Sequence, residues 1–301
     1  MPMNKSLLAH TLAIITVCVW GVTFVNTRYA VDSGMHPTEL FVMRFAIAYL
    51  CIWCFTLFAK KRRSLWADSL KDELIFISLG TTGGSAYFTA ENFAVKYTLV
   101  DNVSFIVCTA PLITIIIARL FTKSVRFSSR LMAGSVIALV GVAIVIFNGH
   151  FVLQLNPKGD FLALLAAFFW AVYSLVIKKV SGGRYDAVFI TRKVFAYGII
   201  TALPIFFFDP WHVTPEMLSK PALFGNIIYL GLVASFTCFV TWSWVIKTIG
   251  ALKTSNYVYL NPCTTVIASA IALNEPLTAL AIVGSILILA GVFLVNTTKL
   301  S

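Results

Sequence analysis

Charge is what this sequence has least of. Only 12% of its 301 residues are charged, against 59% hydrophobic, and the mean hydropathy is +0.90. Soluble domains carry about 25% charged residues, so the deficit excludes an ordinary soluble fold. Acidic residues are the scarcer sign, 12 against 23 basic, for a net charge of +11. No basic domain gathers that excess, which excludes a nucleic-acid partner. Histidine is also scarce. His10, His36, His150 and His212 lie far apart and near the ends of apolar runs. With no His-Glu-x-x-His, no Gly-x-Ser-x-Gly and no acidic cluster, the sequence offers no catalytic motif, metal site or cofactor site. Gly80-Thr-Thr-Gly83-Gly84 lies inside an apolar run without Gly-Lys-Ser/Thr, so it is no phosphate loop. The six cysteines all fall within apolar runs and make no disulfide framework; Cys51 and Cys54 read as structural thiols.

What the sequence has is apolar runs, each about the 20 residues that cross a bilayer. Ten can be marked, at 8–27, 37–59, 74–95, 102–121, 131–149, 160–177, 187–208, 222–245, 255–273 and 278–297. The first continues to Val25, longer than the apolar core of about 7–15 residues in a signal peptide. Turn residues such as Gly34, Pro210 and Pro221 punctuate the short connectors. Basic residues concentrate in alternate connectors, among them Lys60–Arg63, Lys123, Arg126, Arg130, Lys178, Lys179 and Arg184. The other connectors hold only Arg28, Lys96, Lys158 and Lys220. The positive-inside rule then places both termini in the cytoplasm.

The chain also repeats itself. Trp20-Gly21-Val22 returns as Trp170-Ala171-Val172, and Phe41-x-x-Arg44 with Ala48-Tyr49 as Phe189-x-x-Arg192 with Ala196-Tyr197. Leu79-Gly80, Lys96 and Pro111 return as Leu230-Gly231, Lys247 and Pro262, and Gly134 and Gly141 as Gly284 and Gly291. The order is kept and the offset stays within 148–151 positions. The repeats are expected at 1–153 and 154–301, with five spans each. Five is odd, so the second repeat enters the membrane from the opposite side. The expected fold is therefore all-α: ten transmembrane helices as two inverted five-helix repeats around a central cavity, the architecture of many secondary transporters.

These features resemble the EamA-type branch of the drug/metabolite transporter superfamily. The resemblance covers roughly 7–297. It rests on the Trp20 and Trp170 segments, Arg44 and Arg192, the Ala90–Thr98 stretch, the Pro111 and Pro262 helices and Asn274-Glu275-Pro276-Leu277-Thr278. It implies a cavity lined mainly by helices one, three, four, six, eight and nine, and transport of small metabolites, often export of amino acids, usually across a bacterial inner membrane. Members commonly carry a Glu after the fourth helix, as Glu275 stands after the ninth; here Ser124 occupies roughly that place, beside Lys123 and Arg126.

Ionisable residues inside spans point to function. Arg44, two turns into the second helix, and Glu91, near the outer end of the third, reach similar depth and form an expected pair. Either the pair is a fixed packing element, or Arg44 binds a substrate carboxylate and Glu91 takes up protons during the cycle. Arg192 and Lys193 lie toward the inner end of their span and are expected to snorkel to the interface. Polar and aromatic side chains add a second group: Trp20, Tyr87, Asn92, Ser104, Cys108, Trp170 and Tyr173, with Thr237, Trp242, Asn256, Tyr257 and Asn261. Each reads either as a solute contact or as glue between helices. Pro111 and Pro262 are expected to kink their helices. The function expected is secondary transport, as an exporter of small polar metabolites such as amino acids, by alternating access. The partners are the solute and the lipid bilayer, with either protons as a coupling ion or facilitated diffusion without one. A membrane scaffold, a sensor or an intramembrane enzyme is the alternative. An apolar surface is required by lipid in any case and reports nothing on oligomeric state.

Overall fold

The computed structural model describes residues 5–58, 64–121, 129–147, 156–181, 184–208, 210–264, 267 and 278–297. The Lys60–Arg63 block, Lys123, Ser124, Arg126 and Asn274–Leu277 lie outside the described residues. Regular structure among the described residues is entirely helical, and eight helices are long and apolar enough to cross a membrane.

The first span is α1 (Lys5–Gly21) and α2 (Thr23–Asp32), broken at Val22. The second is α3 (Pro37–Phe58). The third joins α4 (Leu70–Gly80) to α5 (Ala86–Tyr97) through one π segment, Thr81–Ser85. It is not among the eight apolar helices, because glycine and threonine fill its middle. The threonines stay in the helix by returning their hydroxyls to their own backbone: Thr81 to Ile77 O (2.9 Å) and Thr82 to Ser78 O (2.8 Å). The fourth span is α6 (Val100–Val107) and α7 (Ala110–Phe121), and the fifth is α8 (Ser129–Phe147).

The second half follows with α9 (Pro157–Val180) and α10 (Ala187–Ala202). After a short α11 (Pro215–Leu218), the eighth span joins α12 (Pro221–Ile228) to α13 (Cys238–Ile249) through the π segment Tyr229–Thr237. Gly250, at φ +87°, turns the chain into α14 (Ala251–Ser255) and a 3₁₀ stretch, Asn256–Leu260. The last span is α15 (Ala279–Thr297).

Irregularities recur at equivalent places in the two halves. Both π segments follow the Leu-Gly pairs Leu79-Gly80 and Leu230-Gly231 closely or contain them. The helix breaks at Cys108-Thr109 just before Pro111, and is 3₁₀ just before Pro262. Proline cannot donate to the preceding turn, which explains both interruptions. The crossings repeat too. Gly80 lies against Tyr197 and Gly198 of α10, and Gly231 against Ile47 and the Arg44 carbonyl of α3.

α8 and α15 pack backbone to backbone through Gly134, Gly141, Gly284 and Gly291. A Cβ at Gly141 would stand 2.6 Å from Gly284 O and 2.8 Å from Ile288 N, and neither atom can give way. Gly141→Ala should therefore cost about 3 kcal/mol, the upper end for overpacking. Thermal unfolding in detergent reads this; a midpoint matching that of the parent would refute the contact.

At the near side, where α1 begins, the snorkelling expected of Arg192 and Lys193 is replaced by buried bonds between the two halves. Lys193 and the Tyr197 hydroxyl both bond Glu73. Arg192 donates to Ser64 O (2.7 Å) and lies over the Trp53 and Phe189 rings. Asp72, just ahead of the apolar run that begins at residue 74, accepts from Arg184 (3.0 Å) and Tyr185 (2.9 Å). These side chains find acidic or carbonyl acceptors within the protein, and a buried charge needs such a partner.

Candidate functional site

Where the first, second, third, fourth, sixth, eighth and ninth spans meet, aromatic rings line a narrow cavity of about 30 Å³. That holds about one or two waters and is well short of the roughly 300–1,000 Å³ of an open small-molecule site, so a solute enters only as the walls move apart. It lies toward the far side, since Arg44 is in the second turn of α3 and Glu91 in the last two turns of α5.

The α1–α2 break at Val22 positions Trp20. Its indole Nε1 donates to Ala234 O at 2.9 Å, a carbonyl of the second π segment. π segments distort the regular backbone ladder and gather at functional sites. The same segment supplies Ser235, whose Oγ accepts from Arg44 Nε at 3.0 Å. Arg44 is 2% exposed, and its guanidinium carbon stands 4.3 Å from the Phe88 ring centre. That cation–π contact compensates part of the desolvation of the charge.

Glu91 faces the same cavity from α5. Tyr87, one turn earlier on the same face, donates its hydroxyl to Glu91 Oε1 at 2.8 Å. The expected direct Arg44–Glu91 pair is not formed. Among the described residues no ion pair joins them, and each is held by its own partner across a shared space. Arg44 Nη1 and Nη2 and Glu91 Oε2 make no hydrogen bond to a described residue. A solute with an anionic and a cationic end could satisfy both.

Stacked aromatic rings close the walls. Trp20 meets Trp170 edge to face at 5.4 Å, Tyr87 lies 5.0 Å from Trp170, and Phe239 lies 5.9 Å from Trp170. These are favourable separations for ring pairs. Asn261 lines the cavity as well. Of the sequence candidates, then, Trp20, Arg44, Tyr87, Glu91, Trp170 and Asn261 come together.

The others sit elsewhere. Asn92 donates to Pro37 O at 2.9 Å and fastens α5 to the start of α3. Ser104 is buried on α6, and the Cys108 thiol points at Val258 O (3.7 Å). Thr237 is exposed and bonds Leu232 O within its own helix. Asn256 is held by Leu252 O (2.7 Å) and Ser135 (3.4 Å), which makes it glue between α8 and the 3₁₀ stretch. Tyr257 pairs with His10 at 2.6 Å. Tyr173 and Trp242 lie just behind the wall, each against Trp170.

Thr23, Phe24, Phe88, Val107, Phe239 and Val258 also line the cavity, and sequence reasoning passed them over. A signal for four of them existed. Phe88 and Phe239, and likewise Val107 and Val258, are repeat-equivalent at an offset of 151 positions.

The model of the EamA-like transporter family matches the chain twice, over residues 7–147 and 157–297. An uncharacterized transporter of Archaeoglobus fulgidus is 26% identical over 298 residues, 96% of this chain and 98% of that protein. A probable terminal-alkyne amino-acid exporter of Streptantibioticus cattleyicolor is 25% identical, with 100% of this chain and 96% of the relative covered. A probable amino-acid metabolite efflux pump of Salmonella typhimurium is 23% identical, covering 94% and 93%. One solved structure shares the fold at a TM-score of 0.75 and 16% identity over 95% of each chain. A bundle of apolar helices matched in both halves by one family model leaves a single assignment: the chain belongs to the EamA-like transporter family, and is an integral multi-pass membrane transporter rather than an enzyme.

Proposed function

We propose that this transporter exports small zwitterionic metabolites, amino acids among them, from the cytoplasm across a bacterial inner membrane by alternating access. One observation carries the reading: Arg44 and Glu91, opposite in charge, face one aromatic-walled cavity with hydrogen-bonding atoms to spare. A solute carboxylate meets Arg44, its ammonium meets Glu91, and its side chain rests among the rings. Charge-assisted bonds of this kind are about twice as strong as neutral ones. The names of the Streptantibioticus and Salmonella relatives support export and the amino-acid class. The basic connectors support cytoplasmic termini. Glu91 is also the group we assign to proton coupling, being the one carboxylate among the described lining residues.

The test is counterflow in proteoliposomes preloaded in turn with amino acids, small peptides, sugars and nucleosides. Saturable exchange confined to amino acids or close analogues is expected. Exchange of sugars or nucleosides alone would overturn the substrate class, and no exchange by folded protein would overturn the reading.

A further inference from the structure

The repeat relates the cavity to itself, but only in part. Six of its lining residues form three repeat pairs: Trp20 with Trp170, Phe88 with Phe239, and Val107 with Val258. They form an aromatic and aliphatic collar that the two halves share. The remaining lining residues have repeat images that do not line the cavity. At the offsets of the sequence repeat, Thr23 maps to Tyr173, Phe24 to Ser174, Tyr87 to Cys238 and Glu91 to Trp242.

Two of those images, Ser174 and Trp242, lie toward the near side. Ser174 is in the last two turns of α9 and Trp242 in the last two turns of α13, both close to the end where α1 begins. All are packed shut: Tyr173, Ser174 and Trp242 are 0% exposed and Cys238 is 3% exposed. Two of them also hold polar atoms with nothing to bond. Trp242 Nε1 and Ser174 Oγ have no hydrogen-bond partner among the described residues. The Tyr173 hydroxyl lies by Ser243 without a bond of good geometry. Buried donors left unpaired are costly and rare. Other side chains among the described residues, including Thr38, Thr89 and Ser255, hold such buried atoms too; Trp242 and Ser174 are the ones that fall where the repeat carries the cavity wall.

In an inverted-repeat carrier, one half rocks against the other around a fixed site, so each half in turn takes the open arrangement. We infer that Tyr173, Ser174 and Trp242 are the lining of the inward-facing cavity, a charge-free wall of hydrogen-bond donors that takes the acceptor atoms of the solute, its carboxylate above all. The inference rests on the alternating-access reading above and deepens it. The two faces of the carrier then differ in chemistry. Arg192, the image of Arg44, is withdrawn from the path by Ser64 O and the Trp53 and Phe189 rings. The image of Glu91 is an indole. Solute entering from the cytoplasm meets neutral donors first, and reaches the Arg44–Glu91 field only as the halves rock.

Sided thiol labelling tests this without knowledge of the solute. Ser174→Cys is exposed to a membrane-impermeant maleimide in inside-out and right-side-out vesicles, with mass spectrometry reporting the modified residue. Labelling at least tenfold faster from the cytoplasmic face is expected, and Phe24→Cys should show the reverse. Equal rates from both faces, or no modification of Ser174→Cys in folded protein, overturn the inference. If that variant does not fold, Tyr173→Cys is labelled instead and read by the same criterion. An equimolar mixture of the protein L-amino acids other than cysteine, whose thiol would consume the maleimide, then serves as the solute probe. It should slow labelling from the cytoplasmic face severalfold, and not do so in Trp242→Phe, which keeps the ring and deletes the N–H. Protection that survives in Trp242→Phe overturns the donor role. Sided labelling beside a failed counterflow experiment would leave the lining standing and remove the substrate class alone.

Discussion

Arg44→Ala is expected to reduce apparent affinity for a zwitterionic solute by roughly 10²–10³-fold, the effect of about 3–4 kcal/mol when one member of a buried charge pair is truncated. The guanidinium is anchored by one nitrogen only, to Ser235, and stacked on Phe88, so its two terminal nitrogens are held in place and unspent. Arg44→Lys separates charge from geometry. An ammonium supplies the charge but not the planar fork that engages a carboxylate through two parallel bonds. Partial recovery, short of the parent by tenfold or more, is the expected outcome in counterflow. A second effect is folded into the first: Arg44 and Glu91 offset each other across the cavity, so removing the cation leaves a buried carboxylate without its counter-charge. The double variant Arg44→Ala/Glu91→Gln should therefore regain thermal stability while remaining inactive. If Arg44→Ala transports normally, Arg44 has no part in binding.

The difference between what the sequence told and what it withheld follows from geometry. The duplication was legible because packing at a helix crossing tolerates few residues. Gly80 and Gly231 recur where another helix lies too close for a side chain, and Pro111 and Pro262 where the helix is broken. Depth was legible too, since counting residues along a span places Arg44 and Glu91 at the same level. Azimuth was not. Thr237 and Asn256 lie on helices that reach the cavity, yet they face lipid and α8 respectively. A hundred degrees per residue separates a solute contact from a helix contact, and the π segment and the 3₁₀ stretch shift that angle locally. The direct Arg44–Glu91 pair failed for the same reason: Arg44 is turned toward Ser235, a residue 191 positions away. The apolar wall escaped notice because an apolar residue in a membrane helix is the default, and only repeat equivalence distinguishes Phe88 and Phe239 from the lipid-facing majority.

Glu91→Gln decides between two roles for that carboxylate. Glutamine keeps the size and an acceptor oxygen, so the bond from Tyr87 can persist and the fold should hold. If Glu91 binds the ammonium, losing its charge should weaken zwitterion binding by about 10–100-fold, the value of a hydrogen bond to a charged group at roughly 1.5–3 kcal/mol. The same change should leave a deaminated carboxylic acid analogue unaffected or bound more tightly, because Arg44 then attracts the carboxylate without competition. If Glu91 instead carries the coupling proton, the pattern divides differently. Counterflow, which needs no net proton movement, would persist near the parent rate, while accumulation driven by a pH gradient would disappear. A single carboxylate can serve both ends: it holds the ammonium while ionised and releases it when protonated. In that case both losses appear together, and the deaminated analogue is carried without response to the gradient. Normal counterflow together with normal gradient-driven accumulation would remove Glu91 from binding and coupling alike, leaving it a fixed partner of Tyr87.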